Sequence, residues 1–294
     1  MKANVIVFLI RSSFEDIKDL NVCLQSLIDH LSITLNDSDV VIFHEPGFED
    51  YKEKIIFTTE NFPSKITYVE ITLPLPPSVF EKYPKKILDF YPHPTDSTST
   101  GFSIGYRSMC RFFSGELFRS DIFLNNGYKY VMRLDSDSKF LSGSKISLFE
   151  WATQNNLIYS YIQSAIQWDH PLVCRKFKSS ALWILLHINL RFFLRGLVVP
   201  VARMYYTNFE IMEVAFFRSN NWEKFWSKLD DKGGFYLYRW GDAIVRYMGI
   251  VSMVPKSRRK KIPPGFIYQH GGIFNSAENF SRRTYILRNV NRLG

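Results

Sequence analysis

The sequence predicts an α/β protein, a Rossmann-like mixed sheet flanked by helices. Three observations carry this. The first 73 residues alternate short β-branched and aromatic runs with segments of helical period, the order of a sheet covered by helices. The 294 residues are 46% hydrophobic and 16% aromatic, enough for a large core in one big domain or two closely joined ones. A later run, YVMRLDSDSKF at 130–140, ends a buried strand in two aspartates, Asp135 and Asp137. Sheets of this class keep their ligands beyond the carboxyl ends of their strands.

In chain order, NVIVFLI (4–10) reads as the first strand. SFEDIKDLNVCLQSLIDHL (13–31) has apolar residues at helical spacing, with Ser13 and Glu15 or Asp16 as capping groups. DVVIFHEP (39–46) is the second strand, a charged helical stretch covers 49–58, and KITYVEITL (65–73) is the third strand. Residues 74–105 carry prolines at 74, 76, 77, 84, 92 and 94 ahead of a Ser/Thr/Gly tail, which reads as a partly mobile loop beside a site. YRSMCRFFSGELFRSDIFLNNG (106–127) is a helix ending near its Asn-Gly pair, and the next strand delivers Asp135 and Asp137. LIYSYIQ (157–163) is a strand, and NFEIMEVAFFRS (208–219) is extended. NWEKFWSKLDDKGG (221–234) is a helix closed by glycine, and RWGDAIVRYMGIVSMV (239–254) is helical. The last forty residues read as loops and short strands, with a solvated basic loop at KSRRKK (256–261) and IYQHGGIF at 267–274.

The net charge of +9 suits acidic partners: nucleotides, phosphorylated donors, anionic lipid or nucleic acid. No nucleic-acid motif accompanies it, so nucleic acid is set aside. Cys23, Cys110 and Cys174 are too few and scattered for a disulfide framework, and no CxxC pair points to structural zinc. Reduced thiols point to a cytoplasmic location. The opening MKANVIVFLIRSSFED has too short an apolar run for a spanning helix and no cleavage site, so neither an N-terminal signal nor an anchor is expected.

Hard carboxylates at a strand tip suit Mg²⁺ or Mn²⁺, ions that often also hold substrate phosphates. The serine between them turns away, so one acid can hold metal while the other takes a sugar hydroxyl. The same pattern also fits a solvated turn after a strand.

Four blocks narrow this. YRSMCRFFSGELF, the strand ending in Asp-Ser-Asp, YYTNFEIMEVAFFRS and LDDKGGFYLYRWGDAIV occur in the order and at the spacing of glycosyltransferase family 15, which the chain resembles over most of its length. These are fungal α-1,2-mannosyltransferases of the Ktr and Mnt kind. The resemblance implies a GT-A type fold, Mn²⁺ (or Mg²⁺), GDP-mannose as donor, a glycan acceptor and transfer with retention. It implies Asp137 and His270 as metal ligands, and Asp135, Arg239 and Arg107 at the donor. Glu210, Asp242 and Tyr106 are the catalytic candidates, with Glu210 beneath the anomeric carbon. One catalytic domain over 1–294 would then have a nucleotide-binding half (1–137) and an acceptor half (138–294). Plainer readings stand beside these: an ion pair for Glu210, with Arg239 as the partner; a helix cap for Asp242; core packing for Tyr106; a loop histidine for His270.

The chain departs from the family pattern in three places. Asp-Ser-Asp replaces Glu-Pro-Asp, Tyr238 stands where the family has Glu, and Ile244 where it has Pro. The expected function is a metal-dependent, retaining mannosyltransferase; the alternatives are another nucleotide-sugar donor on the same fold, or a non-catalytic glycan- or membrane-binding module. RKFKSSALWILLHINLRFFLRGLVVP (175–200) has no evident family counterpart. His187, Arg191 and Arg195 recur every four residues amid Leu, Ile, Trp and Phe. This reads as a basic amphipathic helix at 178–198 making peripheral membrane contact, or as a hydrophobic helix packed on the domain.

Overall fold

A parallel pair of buried strands starts the chain because both runs are apolar on both faces. The structure, a computed structural model, describes residues 2–57, 61–76, 79, 81, 103–143, 145–166, 176–200 and 203–276. Strands β1 (Asn4–Ile10), β2 (Ser38–His44) and β3 (Ile66–Glu70) run parallel, with Asn4 opposite Ser38 and Val40 opposite Ile66. Along β1, Val5 and Val7 enter one core while Ile6, Phe8 and Ile10 enter the other, the two-residue alternation of a strand buried on both faces.

Seven strands form the main sheet, in the order β10-β6-β9-β4-β1-β2-β3. Here β4 is Tyr130–Leu134, β6 Tyr159–Tyr161, β9 Phe209–Glu213 and β10 Arg259–Lys261. The sheet is mixed because β9 lies antiparallel to both β4 and β6. The basic KSRRKK run is not a free loop: Lys256–Arg258 form a 3₁₀ turn and Arg259–Lys261 make the edge strand, parallel to β6. Strands β5 (Lys139–Ser142), β11 (Ile267–Gln269) and β12 (Ile273–Asn275) form a second sheet, and β7 (Ser164–Ile166) pairs with β8 (Arg203–Tyr205).

Six helices of eight or more residues are described: α1 (Phe14–Asn36), α2 (Ile104–Ser114), α3 (Phe177–Ile188), α4 (Leu190–Leu197), α5 (Asn220–Asp231) and α6 (Asp242–Met253). Helix α1 covers one sheet face; α2, α3, α5 and α6 share the other core. Ser13 caps α1, its Oγ accepting from the Asp16 N–H at 3.2 Å. The helix runs past the expected 31 to Asn36, with non-helical backbone at Leu31. The helix expected over 49–58 is one turn, Glu49–Lys52. The extended run from 208 stops at Glu213, where Val214–Phe217 turn helical. Most of the proline-rich stretch, at 77–78, 80 and 82–102, lies outside the described residues, and with it the loop expected there. Among the described residues, no helix is long and apolar enough to cross a membrane.

The helix expected over 106–127 breaks at Gly115, with separate turns at Glu116–Arg119 and Asp121–Asn125. A side chain at Gly115 would meet the Trp226 ring of α5, its Cβ only 2.3 Å from the nearest ring atoms. Arg111 adds a clamp here, its Nε 2.7 Å from Asp230 Oδ1. Gly115→Ala must push α2 off α5, an overpacking penalty of about 1–3 kcal/mol. Chemical denaturation should show it as a lower midpoint at unchanged slope; an unaltered midpoint would refute the close approach.

Candidate active site

Strands β1 and β4 are neighbours, yet the chain leaves β1 in one direction for β2 and β3 before returning to β4 on the other side. That reversal opens a crevice at their carboxyl ends. A cavity of about 540 Å³ occupies it, lined by Ile10 at the end of β1 and Arg11 beyond it, Asp135 and Asp137 beyond β4, and Tyr106 and Met109 of α2.

The second sheet brings in the imidazole. β5 starts two residues after Asp137 and pairs antiparallel with β11, Lys139 opposite Gln269. The turn after β11 therefore sets His270 over Asp137, closed by the His270 N–H donating to the Gly272 carbonyl at 2.9 Å. His270 Nε2 lies 2.9 Å from Asp137 Oδ1 and 3.5 Å from Asp135 Oδ2. One ligand atom from each of the three falls within 4.8 Å of the others. Two hard oxygens and an imidazole nitrogen converging this way fit a divalent ion such as Mn²⁺.

The two aspartates are held differently. Asp135 accepts from Arg133 Nη2 at 3.1 Å and from Asn208 Nδ2 at 3.0 Å, so its orientation is set from behind. Asp137 is the more exposed, at 41% against 26%, and presents the more accessible carboxylate. The Tyr206 hydroxyl lies 3.1 Å from both His270 Nδ1 and the His270 carbonyl, fixing the ring and its backbone. Burial pulls the His270 pKa down, but the hydrogen bond to Asp137 and the charges on both aspartates outweigh it, leaving it above its ordinary value.

Beneath the floor lies a buried charge lattice. Arg133, in mid-β4, has its guanidinium 3.6 Å from the centre of the Phe113 ring and bonds both Asp135 and Asp242. Glu210 is directly across the β4–β9 ladder from Arg133. It is 0% exposed. Arg246 Nε donates to its Oε2 at 3.0 Å, Arg246 Nη2 to its Oε1 at 3.3 Å, and the Tyr159 hydroxyl to its Oε2 at 2.8 Å. Burial raises the Glu210 pKa against the pull of Arg246 and Arg133. Glu210 thus presents no surface to the cavity in this arrangement, and its principal ion-pair partner is Arg246 rather than the expected Arg239.

Asp242 does not cap α6; Gly241 occupies the cap position, and the Asp242 carboxylate turns to Arg133. Burial pushes its pKa up, but the charge and hydrogen bond of Arg133 win and hold it below the ordinary carboxylate range. A carboxylate whose folded pKa lies below its unfolded one stabilises in full above the unfolded value and loses that contribution as pH falls through the folded one. Melting midpoints should therefore drop below about pH 4, and Asp242→Asn should drop less over that limb. An acid limb of identical depth in the variant would refute the assignment.

Tyr106 lines the cavity wall. Neighbouring Cys110, then burial and Asp242, push its pKa far up, so the hydroxyl stays protonated. Arg239 lies close enough for its charge to act on that hydroxyl. Its backbone is left-handed, φ +54°, a strained state that tends to gather at functional sites. Arg107 is buried, and its Nη1 donates to the Tyr236 carbonyl at 2.7 Å, tethering α2 to the turn at Gly234–Leu237. Sequence reasoning overlooked Asn208, Tyr206, Arg133 and Arg246. The first two sit in the motif that carried Glu210, and a charge inside the apolar run YVMRL was the signal for Arg133.

The family model described as glycolipid 2-alpha-mannosyltransferase matches residues 1–183 and 198–286. Glycolipid 2-alpha-mannosyltransferase 1 of Candida albicans is 30% identical over 166 residues, 54% of this chain and 38% of its own length. Probable mannosyltransferase YUR1 of Saccharomyces cerevisiae is 33% identical over 175 residues, 51% of this chain and 39% of its own. The alignments thus span well under half the length of these relatives. Core-mannan synthase A of Aspergillus fumigatus, in an Mn/GDP form, matches with a TM-score of 0.77 at 19% identity, covering 92% of this chain and 75% of that one. Mannosyltransferase Ktr4p of S. cerevisiae, in complex with GDP, gives 0.74 at 22%, covering 92% and 71%. The expected GT-A type fold is therefore the fold observed.

Proposed function

The chain belongs to the glycolipid 2-alpha-mannosyltransferase family, and from that premise we propose that it transfers mannose from GDP-mannose to a glycan hydroxyl, with retention and with a divalent ion, Mn²⁺ or Mg²⁺. The observation that carries this reading is the Asp135–Asp137–His270 cluster at the rim of the switch-point cavity. The Mn/GDP and GDP forms of the two similar structures support the choice of ion and nucleotide. In this reading residues 1–137 hold the nucleotide and the rest serves the acceptor. Peripheral membrane contact through 178–198 is part of it. So is a cytoplasmic location, in keeping with the buried free thiols of Cys23 and Cys110.

Asp137 and His270 would hold the ion, with Asp135 steadied beside them by Arg133 and Asn208. The ion would supply Lewis-acid charge compensation to the leaving diphosphate. Tyr106 offers a protonated phenol from the opposite wall, suited to donate to a sugar hydroxyl or phosphate oxygen. Arg239, beside it, adds positive charge on the same side. Glu210 holds the lattice under the floor, and its seclusion favours same-face attack over a covalent intermediate on that carboxylate.

A donor screen by released nucleoside diphosphate tests the whole reading. Release from GDP-mannose with Mn²⁺ is expected, with little from UDP-sugars or without metal. Faster turnover of a UDP-sugar would overturn the donor assignment, and turnover indifferent to chelation the metal assignment.

A further inference from the structure

The family match stops at residue 183 and resumes at 198, passing over 184–197. This chain places there the end of α3 and all of α4. The helices break at Asn189, whose side chain caps α4 by accepting from the Arg191 N–H at 2.8 Å. Their inward face is already satisfied: Phe177, Ala181, Ile184, Leu185 and Gly196 are buried, with α3 packed on α5 and α4 on α6. Their outward face is apolar. Trp183, Leu186, Leu190, Leu194, Leu197 and Val198 are 44–80% exposed. Steps of three and four put Trp183 and Leu186 on one face of α3, and Leu190, Leu194 and Leu197 on one face of α4. Stripes of this kind on a globular surface mark an interaction site.

Charge selects the partner. No Asp or Glu occurs between residues 170 and 209, whereas Arg175, Lys176, Lys178, Arg191, Arg195 and Arg203 all do. Arg191 and Arg195 are exposed within the stripe. Lys232 stands 5.3 Å from the Trp183 ring, and the His187 ring lies 4.0 Å from it, tilted by 38°. An indole beside a lysine suits the headgroup layer of a bilayer. Both helices are too short to span one.

We propose that α3 and α4 lie flat on an anionic phospholipid surface, with the Trp183–Leu197 stripe in the headgroup layer and Arg191 and Arg195 on lipid phosphates. This rests on the membrane contact in the functional reading and on none of its transfer chemistry. The family model leaves 184–197 unmatched, so the docking rests on this chain's own residues.

Co-sedimentation of the full chain with vesicles tests it. The chain should pellet with phosphatidylcholine vesicles carrying about 30% phosphatidylserine and stay in solution with pure phosphatidylcholine. The double variant Leu190→Glu/Leu194→Glu should weaken binding by about tenfold or more, from the loss of two buried leucines. Arg191→Gln/Arg195→Gln should weaken it by roughly ten- to thirtyfold. All four positions are exposed, so melting midpoints should stay with the parent. No pelleting of the parent, or equal pelleting with both vesicles, would overturn the proposal. So would a parent dimer that the leucine variant dissolves, since the stripe would then join two copies of this chain. Thermal stabilisation by GDP with Mn²⁺, read on the same samples, separates the claims: its loss with pelleting intact strikes only the transfer reading, and the reverse strikes only this one.

Discussion

Asp137→Ala is expected to abolish metal-dependent GDP binding and to cut release from GDP-mannose by on the order of 10³-fold or more. Charge compensation of a leaving diphosphate by a bound ion is worth several kcal/mol, and each 1.36 kcal/mol is tenfold in rate. Asp137 is the accessible carboxylate of the cluster, whereas the Asp135 oxygens engage Arg133 and Asn208. Removing Asp137 therefore leaves an imidazole and one tethered carboxylate, a poor site for a hard ion. The side chain is 41% exposed, so the fold should survive and the parent melting midpoint without ligand should be kept. The parent should gain stability from GDP only when Mn²⁺ is present, since ligand bound to the folded state raises its midpoint. An Asp137→Ala protein with the parent's GDP–Mn²⁺ shift would remove Asp137 from the site.

Arg246→Met carries the largest expected stability effect, a loss of about 3–5 kcal/mol, because it leaves the Glu210 carboxylate buried without its main counter-charge. The side chains of both residues are 0% exposed. Arg246 also donates to the Phe113 carbonyl at 2.7 Å, so a backbone acceptor on α2 loses its partner too. Adding Glu210→Gln to this variant should recover much of the loss, since the orphaned charge goes with it. Glu210→Gln alone distinguishes two roles. A group that attacks the anomeric carbon would lose nearly all turnover at unchanged stability. The sealed ion pair instead predicts lower stability with turnover reduced through Arg133 and Asp135, and chemical denaturation beside the nucleotide-release assay reads both. Near-zero turnover in a fully stable Glu210→Gln protein would return Glu210 to the reacting face.

Much of the site was legible because its residues sit in short, dense motifs. Asp135 and Asp137 announce themselves as charges ending an apolar strand, and His270 stands in a Gly-flanked turn between two short strands. Glu210 was equally visible as a carboxylate, yet its partner was misassigned. Arg239 lies near Tyr106, while Arg246, further along the chain and inside α6, is the cation that reaches β9. Sequence proximity to a motif ranked the candidates wrongly because it is Arg246, inside α6, whose guanidinium meets Glu210 on β9. Arg107 shows how burial separates neighbours in a motif. It adjoins Tyr106, but neighbours on a helix point about 100° apart, so one faces the cavity and the other the core.

From its sequence alone this chain determined the strand–helix alternation of its first half, the acidic strand tip and the family to which it belongs. These are local or near-local properties, written as apolar period and as motif. The tertiary structure decided which groups meet. The β5–β11 pairing brings residues 137 and 270 to hydrogen-bond distance, the antiparallel entry of β9 aims Glu210 inward, and the break at Asn189 turns one expected helix into two with an open apolar face. Each depends on contacts between segments far apart in the chain, where burial, ladder register and charge pairing are settled together and no single stretch of sequence holds the terms.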